Sequence, residues 1–490
     1  MWRALFVLAF GAVAVDAQPL GKAIDEQLAT PEARRATWSV HVRDLASKQT
    51  VYAHNVLIPF APASNMKLLT TALALTRLGP DHRFVTRVLA GSGPDAEGVV
   101  AGPLVLVGGG DPSLSGRTYP YLKDAKPLPA LGPLEALADE VVAAGVRGVS
   151  GGGVVGDDTL YPFEPHAEGW TVDDTVWEYG TAASALMVND NSFVLSVRPP
   201  RRAGEPVTVA VFPPWEGVTV HNTVRAGVGV PNALEIERTP GSMVFRVSGT
   251  LPVGGSPVTQ RLAFDDPALA AAQLFQKILE EKGVRFHGPA RARHRYSGGV
   301  YVEQEGVELA RRMSPPLSQV LQVVNKVSQN LHAEIVLRET ARVARGEGTR
   351  KAALEEMTAF LRTLGIPNDH HDLFDGSGLS RKTLVTASAT TRLLEWMAGT
   401  EHAGVFLATL PVGGEDGSLS YRFRKVPGAD RVRAKTGTLA HVTGLSGYIM
   451  NGERPRWAFS IYLNHANMNS FAGRALVDKI VEEILRFTGP

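Results

Sequence analysis

Phe60-Ala61-Pro62-Ala63-Ser64-Asn65-Met66-Lys67 leads into a run rich in Leu, Ala, Met and Lys that continues to Leu78. This composition predicts a helix over 65–78 with Ser64 at or just inside its start. Residues three apart on a helix share a face, so the amine of Lys67 can reach the Ser64 oxygen. A serine hydroxyl is a weak nucleophile that needs an adjacent base, and a lysine desolvated beside another cation loses enough basicity to serve. The tetrad alone decides little, because about one Ser-x-x-Lys is expected by chance in a chain of this length. Two later patterns give it company. Lys435-Thr436-Gly437-Thr438 closes a predicted strand, where a lysine, two hydroxyls and a glycine allowing close backbone approach suit a carboxylate and an oxyanion. Between the two lies Ser328-Gln329-Asn330, on a stretch with helical periodicity.

Outward from these motifs, the chain has 490 residues, 44% hydrophobic and 20% charged, which excludes both a disordered chain and a polytopic membrane protein. Its 50 Gly and 32 Pro imply many turns with short strands between them. Fifty Lys plus Arg nearly cancel 49 Asp plus Glu, and the clusters Arg198/Arg201/Arg202 and Arg291/Arg293/Arg295 are too isolated to track phosphates. Nucleic acid is therefore not an expected partner. Met1-Trp2-Arg3, the apolar run 4–15 and Val15-Asp16-Ala17 read as an export signal cleaved near Ala17, too short to remain as a membrane anchor. With no cysteine, disulfides and thiol chemistry are excluded. A large exported chain without disulfides suits a bacterial envelope, periplasmic or secreted.

Along the chain, 38–43 and 50–54 read as a β-hairpin. From about 84 to 297 the character shifts to short β-branched runs, among them 99–106, 207–212 and 243–249, with helices at 134–144 and 267–282. After Met313 long helices return over 317–345, 350–364 and 386–398. Strands at 431–435, 443–451 and 457–464 follow, and then a terminal helix over 472–487. That helix aligns Leu476, Ile480, Ile484 and Phe487 on one stripe and reads as a core-packing element. The expected fold class is α/β and multi-domain. An antiparallel sheet packed by helices closes the chain, and the interval from about 84 to 297 reads as an all-β or α+β insert.

The ordered set Ser64-x-x-Lys67, Ser328-Gln329-Asn330 and Lys435-Thr436-Gly437 resembles the motif set of penicillin-binding proteins and class A β-lactamases, with Gln329 where Asp is usual. Within that superfamily the chain looks like the class C low-molecular-mass serine D-alanyl-D-alanine peptidases, the penicillin-binding protein 4 type. Ser328 follows Ser64 by 264 positions, about twice what a minimal superfamily core needs, whereas Lys435 follows Ser328 by 107. Similar stretches also occur at 108–114, 156–159, 314–317, 375–381 and 410–419. On this resemblance 1–17 is the signal peptide, and 18–83 with 305–490 forms the peptidase domain. One inserted domain takes 84–180 with 252–304 and another takes 181–251.

The resemblance implies a serine-type D-Ala-D-Ala carboxypeptidase and endopeptidase acting on peptidoglycan peptides and acylated by β-lactam antibiotics. It implies that Ser64 is the nucleophile, Lys67 its base and Ser328 a proton relay, and that Asn330 binds the substrate amide and orients Lys67. It assigns the terminal carboxylate to Lys435, Thr436 and Thr438, with Gly437 in the same motif, and the oxyanion hole to the N–H groups of Ser64 and Thr438. It implies neither cofactor nor metal. A β-lactamase and a non-catalytic wall-binding or penicillin-sensing protein are the alternatives. Other patterns read as bland. Gly151 to Gly156 fits Gly-x-Gly-x-x-Gly, but Asp157, Asp158 and Pro162 stand where a helix should open, so it is a turn. Asp369-His370-His371-Asp372 has no spaced partner and reads as a surface loop. Ser377 reads as a turn residue whose loop borders the cleft.

Overall fold

A computed structural model describes residues 18–488; the expected export signal lies outside the described residues. The two chain ends meet in a five-stranded sheet ordered Thr50–His54, Thr37–Asp44, Arg454–Asn464, Val442–Asn451, Val432–Leu439. Every neighbouring pair in it is antiparallel. The central strands alternate too little to face water. Arg454–Asn464 is buried from Trp457 onward, as a strand covered on both faces must be. One face packs on the helices Gln18–Leu28 and Ser470–Phe487, where Leu20, Ile24, Val477, Ile480, Val481 and Ile484 join Val40, Phe459 and Ile461 in one apolar cluster. The terminal helix is thus a core element, as its stripe predicts.

The other face carries the helical layer. Met66–Leu78 runs through its centre, buried from Met66 to Leu75. A helix apolar all round belongs in a core. It packs against Leu317–Lys326, Asn330–Arg345 and Ala387–Met397. The single helix expected over 317–345 is two helices. Leu317–Lys326 stops, Ser328 takes a left-handed conformation with φ 65°, and Asn330–Arg345 begins anew. Both sides of the break are held. Asn325 Nδ2 donates to Thr71 Oγ1 and Thr409 Oγ1 at 3.0 and 2.9 Å, and Gln329 Oε1 accepts from Leu331 N at 2.9 Å as the cap of the second helix.

Between the two chain segments that build this sheet lies a β-rich region. Its main sheet is ordered Arg291–Arg295, Val154–Pro162, Leu104–Val107, Val85–Ala90, Val307–Met313. Helices Gly132–Ala143 and Pro267–Glu281 cover it and touch each other. The single strand expected over 99–106 is split into Val99–Val100 and Leu104–Val107 by a turn in which Gly102 has φ 76°. Val307–Met313, beyond the boundary expected at 304, pairs with Val85–Ala90. Val258–Ala263 pairs with Ser192–Arg198, across the boundary expected at 251. A continuous apolar cluster from Val88 to Ala310 includes Phe193, Phe245 and Phe264. Strands therefore choose partners by shared burial, across the limits that the resemblance implied.

Candidate active site

Ser64 sits in the turn Ala63–Asn65, directly before Met66–Leu78. Ala63 is fully buried with φ 47°, a conformation that costs a residue bearing a Cβ of order 1–3 kcal/mol unless its surroundings impose it. Two glycines show what imposes it. A Cβ on Gly378 would lie 1.8 Å from the Ala63 carbonyl oxygen, and one on Gly437 would lie 2.6 Å from Asn65 Nδ2. The loop 375–380 and the strand Val432–Leu439 thus close on the turn as only bare backbone can. Ser64 itself stays partly accessible.

One helical turn on, Lys67 is fully buried. Its Nζ donates to Ser64 Oγ at 2.8 Å, Asn330 Oδ1 at 2.6 Å and the Ser377 carbonyl at 2.8 Å. These partners are a hydroxyl, an amide oxygen and a peptide oxygen, with no carboxylate among them. Burial brings Lys67 down to about 7, against the opposing pull of the Asp375 and Glu334 charges. Lys435 is buried as completely. Its Nζ donates to Ser328 Oγ at 2.8 Å and to the Thr436 carbonyl at 2.7 Å. Burial, and then the charge of Lys67, hold it well below the ordinary lysine range.

The expected residues thus fall into two hydrogen-bonded chains. Ser64, Lys67 and Asn330 form one, and Asn330 Nδ2 continues it to the Tyr179 carbonyl at 2.7 Å. Ser328 and Lys435 form the other. Thr436 and Thr438 project from the opposite side of the strand to Lys435, as a period of two requires. Thr436 Oγ1 donates to Ser418 Oγ at 2.7 Å, and Thr438 Oγ1 accepts from Arg474 Nη2 at 3.4 Å. Gly437 is the point of close packing described above. Gln329 turns away from the two chains, its Nε2 donating to Glu178 Oε1 at 2.7 Å.

The loop 375–380 is the part of the site that sequence reasoning underrated. Glu334, one turn beyond Asn330, accepts from Gly376 N and Ser377 N at 3.0 and 2.8 Å. The Asp375 carboxylate accepts from Gly378 N at 3.1 Å, Ser380 N at 2.7 Å and Trp170 Nε1 at 3.0 Å. Thr70 Oγ1 anchors the Gly376 carbonyl at 2.7 Å. Together these contacts aim the Ser377 carbonyl at Lys67. Burial and the neighbouring Asp375 push the Glu334 carboxyl up. The available signal was Asp375-Gly376-Ser377-Gly378, an acid among small residues, which by itself reads only as a turn.

The remaining patterns lie elsewhere. Gly151 to Gly153 form a turn, and Gly156 lies within the strand Val154–Pro162, where a Cβ would meet the Ala268 carbonyl oxygen at 2.2 Å. His371–Asp372 is a short strand paired with Leu384–Val385. Among the described residues no group of His, Asp and Glu is arranged to hold a metal ion.

A family model described as the D-Ala-D-Ala carboxypeptidase 3 (S13) family matches residues 20–484. A D-alanyl-D-alanine carboxypeptidase of Actinomadura sp. is 35% identical over 478 residues, covering 95% of this chain and 84% of that one. Another, from Haemophilus influenzae, is 25% identical over 434 residues, covering 86% and 84%. A crystal structure of penicillin binding protein 4 from Haemophilus influenzae superposes with a TM-score of 0.79 at 23% identity, covering 94% of this chain and 98% of that one. The fold is shared with that structure, a penicillin-binding-protein peptidase fold with β-rich insertions. The chain belongs to the D-Ala-D-Ala carboxypeptidase 3 family and is a hydrolase of that class.

Proposed function

We propose that this protein cleaves peptidoglycan stem peptides, as a D-Ala-D-Ala carboxypeptidase and an endopeptidase on cross-links, through an acyl-enzyme on Ser64. The observation that carries this is the Lys67 amine, 2.8 Å from Ser64 Oγ and brought down to about 7. At neutral pH such an amine is free base in a large fraction of molecules, so it can take the serine proton as the oxygen attacks the D-alanyl carbonyl. An ester to Ser64 forms as the amide C–N bond breaks. Ser328 passes the proton to the departing amine, and water then hydrolyses the ester.

Asn330 holds Lys67 and faces the substrate amide, and the N–H groups of Ser64 and Thr438 receive the oxyanion. Lys435, with Thr436 and Thr438, binds the free carboxylate. A substrate carboxylate brings the counter-charge that Lys435 lacks, so binding and protonation of Lys435 reinforce each other. A β-lactam mimics the scissile amide and inhibits by leaving a stable ester. The work is placed in the bacterial envelope, with the chain exported and cleaved near Ala17. No helix among the described residues is long and apolar enough to cross a membrane.

Incubation with benzylpenicillin should give one adduct by mass spectrometry, on the peptide containing Ser64, and purified pentapeptide muropeptides should release D-alanine. Ser64→Ala should abolish both. An undiminished adduct in that variant overturns the assignment, and rapid turnover of a chromogenic cephalosporin without D-alanine release would make the protein a β-lactamase instead.

A further inference from the structure

A cavity of about 530 Å³ lies where the inserted region meets the helix leading to the second motif. Its lining includes Arg117, Tyr121, Glu178, Asp190, Arg261 and Val327. Ligand pockets usually measure about 300–1,000 Å³, so it is large enough for part of a peptide. Its walls are amphipathic. Leu122, Leu128, Phe212 and Val327 expose apolar side chains at it, with Leu122 at 59% and Phe212 at 51% exposure. Deeper in, Arg117 Nη2 pairs with the buried Asp190 at 2.6 Å, and Arg261 Nη2 lies 3.7 Å from the same carboxylate. With Lys126 at the rim, three cations face two carboxylates, Glu178 and Asp190.

The cavity adjoins the catalytic cleft on a defined side. Val327 immediately precedes Ser328, and Glu178 accepts the hydrogen bond from Gln329. Tyr121 OH accepts from Gly417 N at 3.2 Å, in the turn whose Ser418 meets Thr436. The cavity therefore opens beside Ser328 and the third motif, where the group that departs from the acyl carbon must lie. A carboxypeptidase releases a single D-alanine there and has no use for such a space. An endopeptidase breaks the C–N bond between a D-alanyl carbonyl and a side-chain amine of a second stem peptide. The Ser64 proton ends on that nitrogen, and the whole second strand must leave on this side.

We propose, building on the function above, that this cavity is the binding site for the leaving stem peptide of a cross-link. Its apolar rim takes the alanyl side chains, and its cationic excess takes the free carboxylates that stem peptides carry. The cavity thus decides the balance between the two reactions without touching the acylation chemistry. Two substitutions at exposed positions of its wall test this in the full-length protein, Ala125→Trp to fill the space and Lys126→Glu to reverse the rim charge.

The substrates are a purified cross-linked muropeptide dimer and a monomeric pentapeptide muropeptide, with benzylpenicillin acylation as the check on folding. Ala125→Trp should lower kcat/KM on the dimer by about 10-fold or more, while D-alanine release and acylation stay within about two-fold. Lys126→Glu should raise KM for the dimer with kcat retained. Unchanged dimer cleavage in both variants, or an equal fall in both reactions with acylation intact, overturns the assignment. A wild-type protein that releases D-alanine but leaves the dimer uncut also overturns it and leaves the carboxypeptidase reading standing. Absence of both D-alanine release and a Ser64 adduct would remove that reading itself.

Discussion

Lys67 and Lys435 in the peptidase unit, and Asp157, Asp158 and Asp190 in the inserted region, are all buried charged groups, yet their partners differ in kind. The lysines meet hydroxyl, amide and carbonyl oxygens. The aspartates meet cations. Arg293 lies 3.2 Å from Asp157, His294 2.9 Å from Asp158, and Arg117 2.6 Å from Asp190. Burying an ion costs several kcal/mol, which a close counter-ion and hydrogen bonds offset. The inserted region supplies such a counter-ion to each of these three aspartates, although burial still pushes the Asp158 carboxyl up. The pocket around Lys67 and Lys435 offers neither lysine a directly bonded counter-ion, and the shortfall appears as lysines held below their ordinary range, as the proposed proton transfer and carboxylate binding require.

The sharpest way to break this contrast is to remove the unpaired cation nearest the proposed carboxylate site. A hydrogen bond to a charged group is worth roughly 1.5–3 kcal/mol, so Lys435→Met should lower kcat/KM on a peptide ending in free D-Ala-D-Ala by about 10-fold to 150-fold. The loss should be much smaller on the same peptide with an amidated terminus. Equal losses on the two substrates would mean that Lys435 acts by tuning Lys67 rather than by binding the carboxylate.

A second test moves a charge near Lys67 and keeps the shape. Lys67 is faced by Glu334 and Asp375, which favour its ammonium form, and by Lys435, which opposes it. In the proposed mechanism acylation needs the free amine, so its rate should rise with pH through about 7. Glu334→Gln keeps an oxygen for Gly376 N and Ser377 N but removes a negative charge. The ammonium is then less favoured, and the rise should move to lower pH by up to about 1 unit, with the plateau nearly unchanged. A stationary or upward-moving profile would show that Glu334 positions the loop without acting on Lys67 through its charge.

The smallest expected effect lies on the paired side of the comparison. Burial works against a charged His294, but its hydrogen bonds to Asp158 and Asp266 push it up to about 10. A raised pKa gives stability that is fully present below the unfolded value, about 6.5, and fades as pH rises through about 10. His294→Gln should therefore lower the urea midpoint most at pH 6 and progressively less toward pH 10, with penicillin acylation unaffected. A deficit equal at both pH values would assign the clasp to packing against Phe163, whose ring centroid lies 4.2 Å away.

Elements whose stability is local were legible without a structure. The helix carrying Ser64 and Lys67, the hairpin at 38–54, the three late strands and the terminal helix follow from periodicity and turn residues. So did the grouping of Ser64, Lys67, Ser328, Asn330 and Lys435 into one site, because the ordered motifs resemble those of a known family. Glu334 was not legible. In sequence it is one more charged position on a helix, and it gains meaning only when the loop 375–380 brings two N–H groups to it.

What the sequence determined by itself is that Ser64 and Lys67 lie three positions apart at a helix start, a spacing that turns both toward one side. The break at Ser328 was decided by the tertiary structure. Residues 317–345 support one continuous helix by periodicity, although Gln329 caps the second helix locally through Leu331 N. The helix stops there because the groups on either side are held by residues remote in the chain. Asn325 is bound by Thr71 and Thr409, Ser328 by Lys435, and Asn330 by Lys67 and the Tyr179 carbonyl. Such contacts exist only after the chain ends have paired in the sheet and the inserted region has folded against them. Their combined strength outweighs the helical hydrogen bonds lost at the break and the left-handed backbone of one non-glycine residue.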